Sequence, residues 1–114
     1  MTMFGNQSKS YLEKLVRQGA NSPVCIGHET LVVSGTSQSL VGNANAIDAI
    51  IQVQSTVSTT AIRYWEDGTV PTASTGFSQG NGAVMELSNQ QNIVNFKVIK
   101  ETAGTTQIVV HYYK

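Results

Sequence analysis

The sequence has few charged residues, and this shortage excludes some functions. Only 12% of the 114 residues are charged, about half the usual fraction, and seven basic residues balance seven acidic ones. A phosphate backbone attracts clustered Lys and Arg, and the nearest candidates, Lys97 and Lys100, are too few. We therefore do not expect a nucleic acid as a partner.

Cysteine and long apolar runs are also scarce. Cys25 is the single cysteine, so no disulfide can form within the chain, which favours folding in a reducing, intracellular compartment. The first residues lack a basic segment followed by an apolar run, and no segment approaches the ~20 apolar residues that span a bilayer. We expect a protein that is neither conventionally secreted nor membrane-spanning.

Candidate catalytic and metal-binding groups are few. Cys25 and His28 have the spacing of a zinc-ligand pair, but a structural zinc site needs about four ligands and the only other histidine is His111. A carboxylate pair could hydrolyse a glycoside, but most candidates fall at predicted solvent-facing positions. These candidates are Asp48, Glu66, Asp67, Glu86 and Glu101. We predict no enzyme, no cofactor and no metal site.

Neutral polar residues take the place of charge. Thr, Ser, Asn, Gln and Gly are abundant, and these residues favour strands and turns over long helices. A chain with zero net charge has little self-repulsion to keep it monomeric. We therefore expect an assembled protein, with a homo-oligomer as one form.

Residues 1–22 are predicted to be an N-terminal arm with a short helix. Ser8 or Ser10 can cap this helix and Gly19 can end it. The residues predicted to share its apolar face are Tyr11, Leu12, Leu15 and Val16. A helix of about ten residues is marginal alone in water, so this face is predicted to contact the remaining domain or a neighbouring subunit.

Residues 23–114 are predicted to form one β domain, because short alternating runs are separated by Gly, Asn and Ser. The runs are 31–34, 46–54, 60–65, 83–88, 94–99 and 107–113. Without helical spacing between them, they predict an all-β antiparallel sandwich of about seven or eight strands, either a jelly roll or immunoglobulin-like.

Alternation within these runs predicts which side chains form the core. The predicted core residues are Ile51, Val53, Ile62, Tyr64, Met85, Leu87, Phe96, Val98, Ile108 and Val110. In the second run, Ile47 and Ala49 are predicted to share the inner face, with Asp48 on the opposite face.

The stretch 61–76, AIRYWEDGTVPTASTG, joins a strand to a turn-forming segment. Asp67 and Gly68 permit a tight reversal, Pro71 fixes the following backbone, and Thr and Ser hydroxyls can satisfy loop amides. Trp65, Tyr64 and Phe77 could form a surface on which sugar rings stack, with core packing as the alternative for Tyr64.

This stretch resembles a phrase of small structural proteins of tailed-phage particles, in which IRY, DGT, PT, S and G follow one another. Later elements resemble that family in the same order, in MEL at 85–87, IVNFKVI at 93–99 and VHYY at 110–113. The resemblance covers roughly residues 30–114 and leaves out the arm. A similar phrase is a structural strand and turn in immunoglobulin-like modules of bacterial surface enzymes.

The resemblance implies a capsid cement or decoration protein that binds the major capsid protein or another virion protein. It also implies a location in the virion after assembly in the host cytoplasm, and trimers as the form of the homo-oligomer. The resemblance implies no catalytic residues. The alternatives are a carbohydrate-binding or host-adhesion sandwich module, and an accessory protein of the tail or of the head–tail connector.

Overall fold

The computed structural model describes residues 23–57, 59–101 and 103–114, which form eight strands and one short helix. In chain order these are β1 Cys25–Val32, β2 Gln38–Ser39, β3 Asp48–Ser55, β4 Thr60–Trp65, β5 Phe77–Gly80, β6 Val84–Ser88, α1 Gln90–Asn95, β7 Lys97–Lys100 and β8 Thr106–Tyr113. The predicted arm, residues 1–22, lies outside the described residues.

The strands form two antiparallel sheets, which confirms the predicted all-β sandwich. The first sheet has the order β1-β8-β3-β6, and the second sheet has the order β2-β7-β4-β5. β1 pairs with β8, β2 with β7, β3 with β6 and β4 with β5. This nested pairing of eight strands is that of a jelly roll, so it selects the jelly roll over the immunoglobulin-like arrangement.

The core confirms the predicted alternation. All ten predicted core residues are buried, and each is at most 7% exposed. Cross-strand register explains why they meet, since Ile51 lies opposite Val110 in the first sheet and Tyr64 lies opposite Val98 in the second. Residues directly opposite in a ladder share a face, so the apolar sides of both sheets point into one core.

The predicted strand over 94–99 is only partly correct. Residues 90–95 form α1 instead, and β7 begins after Phe96. Asn89 caps this helix by accepting the backbone N–H of Asn92 at 3.2 Å, and Ile93 anchors the helix in the core. Val94 is consequently 62% exposed.

The start of β3 also differs from the prediction. Ile47 precedes the strand and is 44% exposed, whereas Asp48 is buried. The Asp48 carboxylate accepts the backbone N–H of Asn89 at 3.5 Å, so a buried polar partner interrupts the expected alternation. Ala49 and the residues that follow keep the predicted face.

Three strands were incompletely predicted. β1 begins at Cys25, whereas the predicted run begins at residue 31. The first residues of β1 are largely polar, so they show no alternation of apolar and polar side chains. β2 has only two residues, and β5 reads FSQG, with a single apolar side chain. Short or polar edge strands give little periodic signal, since their pattern depends on neighbouring strands.

Candidate functional site

The motif at 61–76 forms β4 and the loop that leads to β5. The Asp67 carboxylate accepts the backbone N–H of Thr69 at 3.0 Å, and Gly68 has a positive φ of 91°. These contacts stabilise a bend at Asp67 and Gly68. The chain does not reverse tightly there, because it continues through a loop, with Pro71 buried, before β5 begins at Phe77.

Hydroxyl groups close the second half of this loop, as predicted. Thr72 and Thr75 exchange backbone hydrogen bonds at 3.2 and 3.3 Å. Their side-chain oxygens lie 2.8 Å apart, and the Thr72 hydroxyl accepts the backbone N–H of Ser74 at 3.2 Å. The loop therefore satisfies its own polar groups and holds a defined shape.

Gly76 ends the motif where the loop passes close to β4. Its φ is 120°, a conformation that side-chain-bearing residues rarely adopt. A Cβ atom there would lie 3.1 Å from the Tyr64 carbonyl oxygen and 3.2 Å from the Tyr64 backbone nitrogen. Both the backbone conformation and the close approach require glycine.

Arg63 links the β4–β5 hairpin to the segment after β7 through hydrogen bonds. Its Nη1 donates to the Gly76 carbonyl at 3.1 Å, and its Nε donates to Glu101 Oε1 at 2.9 Å. Nη2 lies 2.9 Å from the same oxygen. This ion pair could not be predicted from the sequence, because the two residues are 38 positions apart and neither carries a local signal.

The three aromatic residues proposed for sugar stacking do come together, but in different roles. Tyr64 is 6% exposed and packs against Phe96, with ring centroids 5.4 Å apart, so it belongs to the core. Phe77 is 60% exposed and meets Tyr64 edge-on at 5.8 Å. Trp65 lies 5.9 Å from Phe77 at an interplanar angle of 42°. Trp65 and Phe77 therefore form the surface part of the cluster.

Two carboxylates complete a cleft beside these rings. The cleft has a volume of about 190 Å³ and is lined by Tyr64, Trp65, Glu66, Asp67 and Phe77. Burial raises the pKa of Glu66 above its usual range, whereas hydrogen bonds from Thr69 lower the pKa of Asp67. Burial also raises the pKa of Tyr64, with a hydrogen bond to Gln79 acting in the opposite direction. The cleft therefore combines an apolar wall with two hydrogen-bond acceptors.

The outer face of the first sheet has a different character. None of its four strands contains Lys or Arg. One cross-strand row carries Thr30, Val109, Gln52 and Val84, in the order of the strands. Val84 is 63% exposed. This row is made of valine, amide and hydroxyl side chains, and the adjacent row of the same face also carries the Glu86 carboxylate, opposite Ile50.

The histidines lie in the next row of that face. His28 is opposite His111, and their ring centroids are 6.4 Å apart. Cys25 is exposed, and its thiol donates to the Gly27 carbonyl at 3.5 Å. Within residues 23–57, 59–101 and 103–114, no three His, Cys, Asp or Glu side chains form a group that could hold a metal ion.

A partly buried polar contact joins β1 to β8, and the sequence carries no local signal for it. Glu29 accepts the hydroxyl of Tyr112 and the backbone N–H groups of Val41 and Gly42, the latter two at 3.2 and 3.0 Å. Burial, followed by the contact with Glu29, raises the pKa of Tyr112 above its usual range. These bonds fix the loop after β2, so we assign Glu29 a structural role.

Comparison with protein-family models, with curated proteins and with solved structures finds no match for the chain. Its class is therefore defined by the fold, an antiparallel jelly-roll sandwich with an aromatic cleft at one end of β4. No helix in the described part of the chain is long and apolar enough to cross a membrane. The arm residues proposed as an interface, Tyr11, Leu12, Leu15 and Val16, lie outside the described residues.

Proposed function

We propose that this chain is a structural component of a tailed-phage particle, a cement or decoration protein that binds the major capsid protein and stabilises the shell. The observation that carries the proposal is the outer face of the first sheet, whose strands lack Lys and Arg. Its exposed residues include Val32 and Val84, which are 62% and 63% exposed. Such a face suits lasting contact with another protein.

The physical reason is the low desolvation cost of this face. Burying a charge without a partner costs several kcal/mol, whereas amides and hydroxyls can exchange water for hydrogen bonds with a partner. The centres of protein interfaces are correspondingly depleted in charged residues. Val109 and Gln52 lie at adjacent positions of this face, so covering them with a shell surface costs little desolvation free energy.

The motif and the architecture support the same proposal. Jelly rolls occur in viral capsid domains and also in lectins, so the architecture alone does not assign a function. In the structure the motif residues form β4 and the loop that leads to β5, so their local role is structural. The agreement in the order of the later elements is what favours the phage particle.

The arm completes the proposed attachment. The apolar stripe of Tyr11, Leu12, Leu15 and Val16 would add buried area on the shell or between copies, at about 25 cal/mol for each Å² removed from water. We propose a homo-oligomer, with a trimer as its form, located in the virion after assembly in the host cytoplasm.

The test begins with the neighbouring genes, which should include a major capsid protein. Shells of that protein, assembled without this chain, are mixed with the purified chain and sedimented. Wild-type chain should sediment with the shells. Gln52→Lys, which adds a charge at the centre of the first-sheet face, should weaken co-sedimentation at least tenfold, the effect of about 1.4 kcal/mol.

A matched variant and a truncation separate the two attachment regions. Ala73→Lys adds the same charge to the exposed loop before β5 in the second sheet and should leave co-sedimentation unchanged. Deleting residues 1–20 should preserve thermal unfolding of the β domain while weakening attachment. A gene neighbourhood without virion genes, or shells that do not retain the wild-type chain, would overturn the proposal. Equal effects of the two lysine variants would remove the first sheet as the contact.

A further inference from the structure

The cleft at the end of β4 has a feature that shell binding does not explain. Phe77 exposes 60% of its surface although it lies beside the buried ring of Tyr64. Trp65 stands next to it at 5.9 Å, and the two rings are inclined by 42°. Two inclined aromatic rings at the surface provide adjacent apolar walls for a flat ligand.

The position of Phe77 is fixed although its ring is exposed. Tyr64 contacts it edge-on from the core side, and Tyr64 is itself held against Phe96. On the backbone, the preceding residue Gly76 is held by the hydrogen bond from Arg63. Because little freedom remains to be lost when a ligand binds, this aromatic surface is preorganised.

The polar groups of the cleft restrict the chemistry of its ligand. Glu66 and Asp67 offer carboxylate oxygens, which accept hydrogen bonds and donate none. An anionic ligand would be repelled by them, and a purely apolar ligand would cover them without supplying donors. A neutral compound with hydroxyl groups beside an apolar face satisfies both the rings and the carboxylates.

We propose that this cleft binds a saccharide, with a sugar ring stacked on Trp65 and Phe77 and its hydroxyls donating to Glu66 and Asp67. The volume of about 190 Å³ is below the ~300–1,000 Å³ of sites for drug-sized ligands, so it accommodates a single ring or the end of a glycan chain. This inference does not depend on the proposed function in the phage particle.

The single tryptophan of the chain makes the test specific, because its fluorescence reports on Trp65 alone. The full-length protein is titrated with the methyl glycosides of glucose, galactose, mannose and N-acetylglucosamine. At least one should cause a saturable change in fluorescence with a dissociation constant in the millimolar range. Phe77→Ala should weaken that binding about tenfold, the upper end of an aromatic pair's contribution.

Two further variants distinguish binding from misfolding. Glu66→Ala leaves both rings in place and should also weaken binding about tenfold, because a charge-assisted hydrogen bond is lost. Val24→Ala truncates an equally exposed side chain just before β1 and should leave binding unchanged. Thermal unfolding of each variant confirms that the fold persists.

Three results would overturn the saccharide assignment. The first is no saturable change in the wild type with any of the sugars at concentrations about tenfold above a millimolar dissociation constant. The second is unchanged affinity in both Phe77→Ala and Glu66→Ala. The third is saturation by an uncharged leucine-rich peptide at lower concentration than by every sugar, which would make the cleft a protein contact.

Discussion

The two sheets bury similar side chains but expose different ones. Ile51 and Tyr64 represent inner faces that are apolar in both sheets. On the outside, the first sheet has no basic residue in its strands, whereas the second has Arg63 in β4 and Lys97 in β7. The inner faces therefore specify the sandwich. The outer faces differ, because the first sheet exposes a surface without basic residues, whereas the second sheet carries an ion pair and an aromatic cleft.

Removing the Phe96 ring should give the largest effect, because it lies in the core that both sheets share. Phe96 is fully buried and contacts Tyr64. Phe96→Ala should lower the free energy of unfolding by about 3–5 kcal/mol, measured by urea denaturation at equilibrium. Val94→Ala, on the exposed side of α1, should change it by less than about 0.5 kcal/mol. Equal effects of both variants would contradict the placement of this core.

An intermediate effect is expected in the second sheet at Gly76. Gly76→Ala combines an unfavourable φ of 120° with a Cβ about 3.1 Å from the Tyr64 carbonyl, and should cost about 1–3 kcal/mol. Gly35→Ala, after β1, meets nothing within 4 Å and should be neutral or slightly stabilising. The readout is the thermal midpoint of both variants. If Gly76→Ala unfolds like the wild type, the hairpin does not depend on this close approach.

The core was predictable from the sequence because period-two alternation depends only on the strand and its buried face. The same rule failed at residues 94 and 95 for a physical reason. Ile93 and Phe96 are three residues apart, a helical spacing, and both are buried, so a helix and a strand share this apolar run. The Asn89 side chain favours the helix, because it accepts the backbone N–H of Asn92 at the helix start.

The candidate site was only partly predictable. Trp65 and Phe77 are candidates for ligand stacking because their side chains are aromatic, and the pair Asp67 and Gly68 is typical of a turn. The fold alone shows that Tyr64 supports Phe77 from the core and that Arg63 reaches Glu101. Such contacts depend on strand pairing between distant segments, which a single sequence does not reveal.

The smallest expected effect is the change in thermal midpoint when either carboxylate of the cleft is neutralised. This change should have opposite signs for Glu66 and Asp67. Burial raises the folded-state pKa of Glu66, so its stabilising contribution is full below the unfolded pKa and is lost as pH rises through the folded pKa. Glu66→Gln should therefore raise the thermal midpoint at pH ~7. This advantage should disappear as the pH falls below about 4.

Asp67→Asn is the matched variant, and it should behave in the opposite way. Hydrogen bonds from Thr69 lower the folded-state pKa of Asp67, so its carboxylate stabilises the fold above the unfolded pKa and loses this contribution as pH falls through the folded pKa. Asp67→Asn should lower the thermal midpoint at neutral pH and approach the wild type in acid. Both changes should be small, since water screens exposed groups. Midpoints that shift in the same direction for both variants at neutral pH would show that the two carboxylates share one environment, and the electrostatic description of the cleft would be wrong.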